Sequence, residues 1–197
     1  MKNRSIYRIR DEAIGSGRSV FTTQEFANLT GIKKAHVAVY LSRMAQKGLA
    51  VKLMKGKFSF SDNDLVIATQ LQEPSYVSLD SALLFHGIRD QIPVNVQCVS
   101  TRNSIVFRNL GIEYHRISPQ LLFGYRRYEL ERSYTLVAEP EKALIDGFYL
   151  NIYSLDDLME YSNRMNFQPL FDQLMHFSGR GSRKMKGVIA LLKKNRS

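Results

Sequence analysis

Residues 21–31 limit the fold more than any other part of the sequence, because they mark both ends of one short helix. The segment reads FTTQEFANLTG, in which Thr22 and Glu25 have the spacing of a capping box, where two side chains bond the free amides of a helix start. Phe21 is placed to staple onto Phe26, and the closing glycine is the residue that typically ends a helix. The segment therefore predicts a short helix followed by a tight turn.

Other regular elements are predicted on both sides of this short helix. Residues 4–16 predict a helix that stops at Gly-Ser-Gly, and residues 32–48 predict a longer one with Val37 and Leu41 on its apolar stripe. Residues 49–60 then alternate as two short strands about a Lys-Gly-Lys turn. Helix, short helix, turn, longer helix and basic hairpin is the order of a winged helix-turn-helix. Residues 1–61 are predicted to form such a DNA-binding domain.

The charge distribution favours a polyanionic partner for the N-terminal block. Residues 1–61 hold 12 Lys and Arg against 3 Asp and Glu, residues 62–179 hold 9 against 15, and residues 180–197 hold 7 against none. Clustered cations gain affinity for nucleic acid by releasing the counterions of its phosphates. A basic face that is only solvated is the alternative, since net charge describes steering rather than a site.

The longer helix, the hairpin and the C-terminal segment supply the candidate DNA contacts. Phosphate contacts are expected from Lys33, Lys34 and Arg43 of the helix, and contacts with base edges or thymine methyl groups from His36, Val39 and Tyr40. The hairpin and the C-terminal segment would add further phosphate contacts through Lys52, Lys55, Lys57, Arg180, Arg183, Lys184 and Lys186. For each of these side chains, plain solvation is the alternative.

The rest of the chain predicts a second, mixed module. Residues 62–75 read as a connector that opens on acidic residues and closes on Pro74, and residues 76–197 as an α/β regulatory domain. That domain is expected to combine a small antiparallel sheet with C-terminal helices, one of which begins with Pro140 at its first position. The fold class of the whole chain is therefore predicted to be α+β.

No motif in the second module makes a convincing active site. Glu139, Glu141, Lys142 and Asp146 permit a metal-dependent nuclease as the alternative, but the position two before the lysine is Pro140 where a nuclease needs an acid. Acidic residues at a helix start are explained more simply by the helix dipole. One cysteine and four scattered histidines predict neither a disulfide nor a metal site, and no cofactor is expected. No apolar run is long enough to cross a membrane or to act as a signal peptide, which predicts a soluble, cytoplasmic protein.

Several strings in the second module resemble the AbiEi family of bacterial and archaeal antitoxins and regulators. They are YVSLDSALLFHGI, the hairpin that ends IEYHRIS, and LVAEPEKALID, in this order and preceded by the predicted winged helix. The resemblance covers nearly the whole chain. It marks Ser81, His86, Pro140, Lys142 and Asp146 as family residues without assigning them chemistry; the final segment departs from the family in being short and very basic.

The resemblance implies a repressor that binds inverted repeats in its own promoter and neutralises a co-encoded nucleotidyltransferase toxin. Together with the winged helix it makes a sequence-specific transcriptional repressor of a toxin-antitoxin system the leading prediction, with no enzymatic activity. The alternatives are an enzyme that acts on nucleic acid, a stand-alone regulator without a toxin, and a winged helix that binds protein.

Overall fold

The computed structural model of the protein describes residues 5–162 and 165–194 and is mixed α and β. Arg4, the predicted start of the first helix, lies outside the described residues. The chain divides into two compact units, one of Met1–Leu71 with Arg127–Thr135 and the other of Gln72–Arg126 with Leu136–Ser197. The mixed architecture agrees with the α+β class that the sequence predicts.

The first unit combines helices with a three-stranded antiparallel sheet, within the part of the chain that is described. Its elements are α1 (Ile6–Gly15), β1 (Val20–Thr22), α2 (Thr23–Thr30), α3 (Lys34–Gln46), β2 (Val51–Met54), β3 (Lys57–Ser59) and α4 (Asp64–Leu71). The strand order is β1-β3-β2, so the hairpin expected in residues 49–60 is joined by a strand that precedes α2.

The start of α2 has the predicted capping box. The amide of Glu25 donates to the Thr22 hydroxyl at 3.1 Å, and the amide of Thr22 donates to the Glu25 carboxylate at 2.7 Å. Partial burial raises the pKa of Glu25, but the bonds with Thr22 and the nearby charges of Arg18 and Lys57 outweigh it and lower the pKa below 4.5. Both predicted ends of the short helix are confirmed, because Gly31 closes it in the left-handed conformation.

One core cluster of the first unit is built from one face each of α1, α2 and α3. Val37, Leu41 and Met44 of α3 are fully buried and pack with Phe26 of α2 and Ile9 of α1. Their spacing of three and four residues puts them on one side of α3. The stripe that the sequence predicts is therefore the buried side, and the opposite side of α3 is left at the surface.

Most of the expected connector belongs to the first unit. Residues 66–71 of α4 are all buried, as suits a helix that is apolar nearly all round. Gln70 is its one amide side chain in the core. Its Oε1 accepts from the amides of Ser19 and Val20 at 2.8 and 3.0 Å, and its Nε2 donates to the Ser133 hydroxyl and the Tyr134 carbonyl, both at 3.0 Å. Helix α4 thus bonds both to the start of β1 and to residues 133–134.

The second unit is organised on a mixed sheet flanked by helices. Its elements are β4 (Ser75–Val77), α5 (Leu79–Phe85), β5 (Val96–Ser100), β6 (Ile105–Phe107), β7 (Ile112–Arg116), β8 (Tyr125–Leu130), β9 (Ser133–Ala138), α6 (Pro140–Tyr149), α7 (Leu155–Ser162), α8 (Gln168–Met175) and α9 (Ser182–Lys194). The outer part of the β8–β9 hairpin, residues 127–135, is counted with the first unit.

The sheet corrects the expectation of a small antiparallel one. Over the described ranges it has six strands in the order β6-β7-β5-β4-β9-β8, and the pairs β5–β7 and β4–β9 are parallel. Strand β7 lies between β5 and β6, with Cys98 opposite Tyr114. Hairpin signals in a sequence report only local pairing, whereas these parallel pairs join strands that are distant along the chain.

The C-terminal helices of this unit each bury one apolar face. Helix α9 buries Met185, Val188, Ile189 and Leu192, and α8 buries Leu170, Phe171 and Leu174. The C-terminal helices that the sequence predicts are present, and the last of them, α9, is amphipathic over 182–194. None of the helices in residues 5–162 and 165–194 is both long and apolar enough to span a bilayer.

Candidate nucleic-acid interface

On the side of α3 that faces away from the core, the side chains along the centre are uncharged and mostly short. Ala35, Val39, Ser42 and Gln46 are all exposed, and Val39 keeps 49% of its surface accessible. Their spacing of three and four residues places them in one row, opposite the buried stripe. Small side chains in such a row let the helix backbone come close to a flat partner. Sequence reasoning missed Gln46, although its spacing from Ser42 could have revealed it.

Cations flank this row, and two of them stand where the helix itself would not favour them. Lys33 is the N-cap of α3 and forms no side-chain cap, Lys34 is the first residue, and the first turn has no acid. The positive end of a helix dipole disfavours cations by a few tenths to about 1 kcal/mol each. An anion bound at this end would reverse that penalty. His36 and Arg43 are also exposed, on one edge of the row.

Tyr40 differs from the other candidates on α3. It is half-buried and packs against the core of the first unit. Its side chain is therefore only partly accessible to a partner.

The hairpin lysines fall into two groups. Lys52 and Lys55 are exposed, and Lys55 precedes the turn glycine Gly56, whose φ is 77°. Lys57 is half-buried, and its ammonium donates to the carbonyl oxygen of Leu71 at the end of α4. A cation is favourable at the carbonyl end of a helix. Lys57 thus has a structural role that the sequence did not reveal.

The C-terminal cations lie in the second unit and are also divided. Arg180, Arg183 and Lys186 are exposed. Lys184 donates to the Phe148 carbonyl at 2.6 Å and to Asn151 Oδ1 at 2.7 Å, and its ammonium lies 4.0 Å from the centre of the Phe148 ring. It therefore caps the carbonyl end of α6.

The candidate nuclease residues do not form one cluster. Lys142 and Asp146 are fully buried and form an ion pair with each other. Lys142 also donates to the Tyr76 hydroxyl at 2.7 Å, and Asp146 accepts from Tyr76 at 2.9 Å and from the Ser78 hydroxyl at 2.8 Å. Burial lowers the pKa of Lys142, against the raising effect of Asp146. Solvent has no access to this group.

The two glutamates of that set face other partners. Glu139 forms an ion pair with Arg126 at 2.5 Å, and Glu141 accepts from the amide of Asn166 at 2.8 Å. Among the described residues, no group of three or more His, Cys, Asp or Glu side chains could hold a metal ion.

The remaining residues of the AbiEi-like strings are parts of the framework of the second unit. The Ser81 hydroxyl accepts from the amide of Gln97 at 2.9 Å, His86 Nε2 lies 2.8 Å from the carbonyl oxygen of Ala138, and Pro140 occupies the first turn of α6. The contacts of Ser81 and His86 connect α5 to β5 and β9.

Comparison with known proteins adds no relative: no family model matches the chain, and no curated protein is significantly similar to it.

Proposed function

We propose that residues 5–61 form a winged helix that binds double-stranded DNA, with α3 in the major groove and the β2–β3 turn as the wing. The protein would act as a sequence-specific repressor in the cytoplasm. Its DNA-binding residues would be those of α3 and the turn, with the exposed cations of residues 180–186 as further phosphate contacts.

The exposed row on α3 carries this proposal. A helix face that only meets water is usually rich in charged residues, yet the centre of this face is Ala35, Val39 and Ser42. Thymine methyl groups are read by apolar contacts of the kind that Val39 offers, and serine can bond to any base edge. Lys34 and Arg43, beside the row, have the reach and charge for the phosphates on either side.

The charge of the first unit supports the same partner. Residues 1–71 carry 12 Lys and Arg against 5 Asp and Glu, and residues 127–135 carry two of each. An excess of this size attracts DNA of any sequence, so specificity has to come from the uncharged row.

Binding to its own promoter tests the proposal. At ~150 mM salt, where non-specific contacts are weak, fluorescence anisotropy should show at least ~100-fold tighter binding to the promoter than to a scrambled duplex. Equal affinity for the two duplexes would refute sequence-specific repression. No binding to either duplex at ~50 mM salt would point to a winged helix that binds protein.

Variants of α3 separate base contacts from phosphate contacts. Val39→Ala and His36→Ala should weaken promoter binding by about 5- to 150-fold, equivalent to about 1–3 kcal/mol, and leave random DNA unaffected. Lys34→Gln should weaken both and flatten the salt dependence by about 0.9 per lost contact. Arg108→Gln, which removes an exposed cation from the second unit, is the charge-matched control. Uniform losses in all four variants would contradict the assignment of α3.

The antitoxin role rests on the AbiEi-like strings. If a nucleotidyltransferase gene adjoins this one, its expression alone should arrest growth, and co-expression of the present protein should restore it. Val39→Ala should still restore growth, because the second unit would neutralise the toxin. Continued arrest despite co-expression would leave a stand-alone regulator.

A further inference from the structure

An open groove runs along the surface of the second unit beside α9. It has a volume of about 580 Å³, and Phe148 at the end of α6, Leu155 at the start of α7 and Leu191 of α9 contribute to its walls. Ligand sites in proteins typically have volumes of roughly 300 to 1,000 Å³ and mostly apolar walls. The groove therefore has the size of a small-molecule site.

The apolar surface inside the groove is only partly covered by the chain. Phe148 and Val188 are buried and form its floor. Leu155 and Leu191, on the two sides, leave 38% and 44% of their surface accessible. A hydrocarbon that lay between them would remove this apolar surface from water, which is favourable in proportion to its area.

Gly187 keeps the groove open from within α9. A Cβ atom built at this position would meet nothing within 4 Å, and the backbone there is ordinary helix. Glycine inside a helix costs about 0.5–1 kcal/mol relative to alanine, and here neither packing nor a positive φ requires it. Arg183, Gly187 and Leu191 are spaced by four residues and so lie in one row along the groove. The missing side chain leaves room for a ligand.

The groove carries a positive charge at one end. Arg183 lines it, is exposed and is the second residue of α9, where the helix dipole also favours an anion. The ammonium of Lys184, also in the lining, is held in place by Phe148 and Asn151. Residues 180–197 contain no acid, and the acids next to a lining residue in sequence are Asp156 and Asp157, which follow Leu155 in the first turn of α7. An apolar trough with a cationic end complements an amphipathic anion.

We propose that this groove binds a small amphipathic carboxylate, with its hydrocarbon body between Leu155 and Leu191 and its carboxylate on the Arg183 guanidinium. The guanidinium can bond both oxygens of the carboxylate. Its residues all belong to the second unit, and only Arg183 is also among the proposed phosphate contacts, so the site does not depend on the row of α3 that carries the DNA proposal.

Calorimetric titration of the full-length protein with octanoate tests the site, with 1-octanol as the neutral probe of the same length. Octanoate should bind saturably and more tightly than octanol. Gly187→Leu should fill the groove and weaken both probes at least ~10-fold. Arg183→Gln should weaken octanoate by about tenfold and leave octanol unchanged. Lys186→Gln, which removes a cation of the same helix outside the lining, should change neither.

Leu191→Glu is a second variant in case Gly187→Leu does not fold, as judged by circular dichroism. Its side chain is already partly exposed, and a carboxylate there should repel octanoate more than octanol. Methyl NMR of Val188 and Leu191 should show shifts on titration that locate the probe. The proposal would be overturned if octanoate did not bind saturably or bound no more tightly than octanol. It would also be overturned if Gly187→Leu and Leu191→Glu both left octanoate binding unchanged. A third outcome would also overturn the proposal: the protein forms a dimer, both variants abolish the dimer, and octanoate does not bind. The groove would then be an interface between copies of the chain.

Discussion

Removing the Gln70 amide should destabilise the first unit more than removing most of its other polar side chains. It bonds four partners, and two of them, the amides of Ser19 and Val20, are buried and would be left without an acceptor in Gln70→Met. A buried donor without a partner costs about 1–3 kcal/mol, so the two amides together cost about 2–6 kcal/mol. Since whole domains are stable by about 5–15 kcal/mol, this is a large part of the total.

Urea unfolding followed by circular dichroism would measure this loss. Gln70→Met keeps the volume of the side chain, so packing changes little and the loss of free energy of unfolding reports the hydrogen bonds. Gln24→Met, on the exposed side of α2, is the matched control and should change stability by less than about 0.5 kcal/mol. Hydrogen exchange at Ser19 and Val20 should accelerate only in the Gln70 variant.

Gln70→Glu tests the accepting oxygen and the donating nitrogen of the amide separately. The carboxylate can still accept from Ser19 and Val20, but it faces the Tyr134 carbonyl with an oxygen in place of a donor. A protonated carboxyl restores the donor, so the stability of this variant should approach that of the wild type as the pH falls. A loss below about 1 kcal/mol in Gln70→Met, with amide exchange unchanged, would refute this account of α4.

Further predictions concern charge and close packing. Lys142→Met should cost at least about 3 kcal/mol in urea unfolding because it leaves the Asp146 carboxylate buried without its cation, and adding Asp146→Leu should recover part of the loss. Because the pKa of Glu25 is lowered, the stability that its carboxylate contributes should be complete above pH 4.5, the ordinary pKa, and should disappear as the pH falls through the lower pKa of the folded state. Glu25→Gln should therefore flatten the acid side of the curve of unfolding free energy against pH. Gly147→Ala should destabilise by about 1–3 kcal/mol, seen as a lower Tm, because a Cβ atom there would lie 2.1 Å from a tyrosine ring. Glutamine in place of the exposed cations in residues 180–186 should flatten the salt dependence of DNA binding by up to about 0.9 per contact, and an unchanged slope would confine DNA binding to the first unit.

The candidate DNA interface was largely predictable, because the signals that define it are local. Capping residues, a glycine turn and the three- and four-residue spacing of Val37, Leu41 and Met44 determine where α3 begins and which side is buried. The exposed row is then its opposite side. The sequence did not predict which of the nearby cations are available to bind DNA. Lys57, for example, donates to a carbonyl oxygen 14 residues further along the chain.

The sequence by itself determined helices α1 to α3, the basic hairpin and the distribution of charge, because each depends on residues a few positions apart. Tertiary structure alone decided that Gln70 of α4 bonds to β1 and to residues 133–134, that β7 lies between β5 and β6, and that Lys142 and Asp146 form an ion pair without access to solvent. These features depend on contacts between distant segments, such as Tyr76 with Asp146. Periodicity and capping report only what a segment does with its own neighbours, so partners that folding brings together leave no local signal.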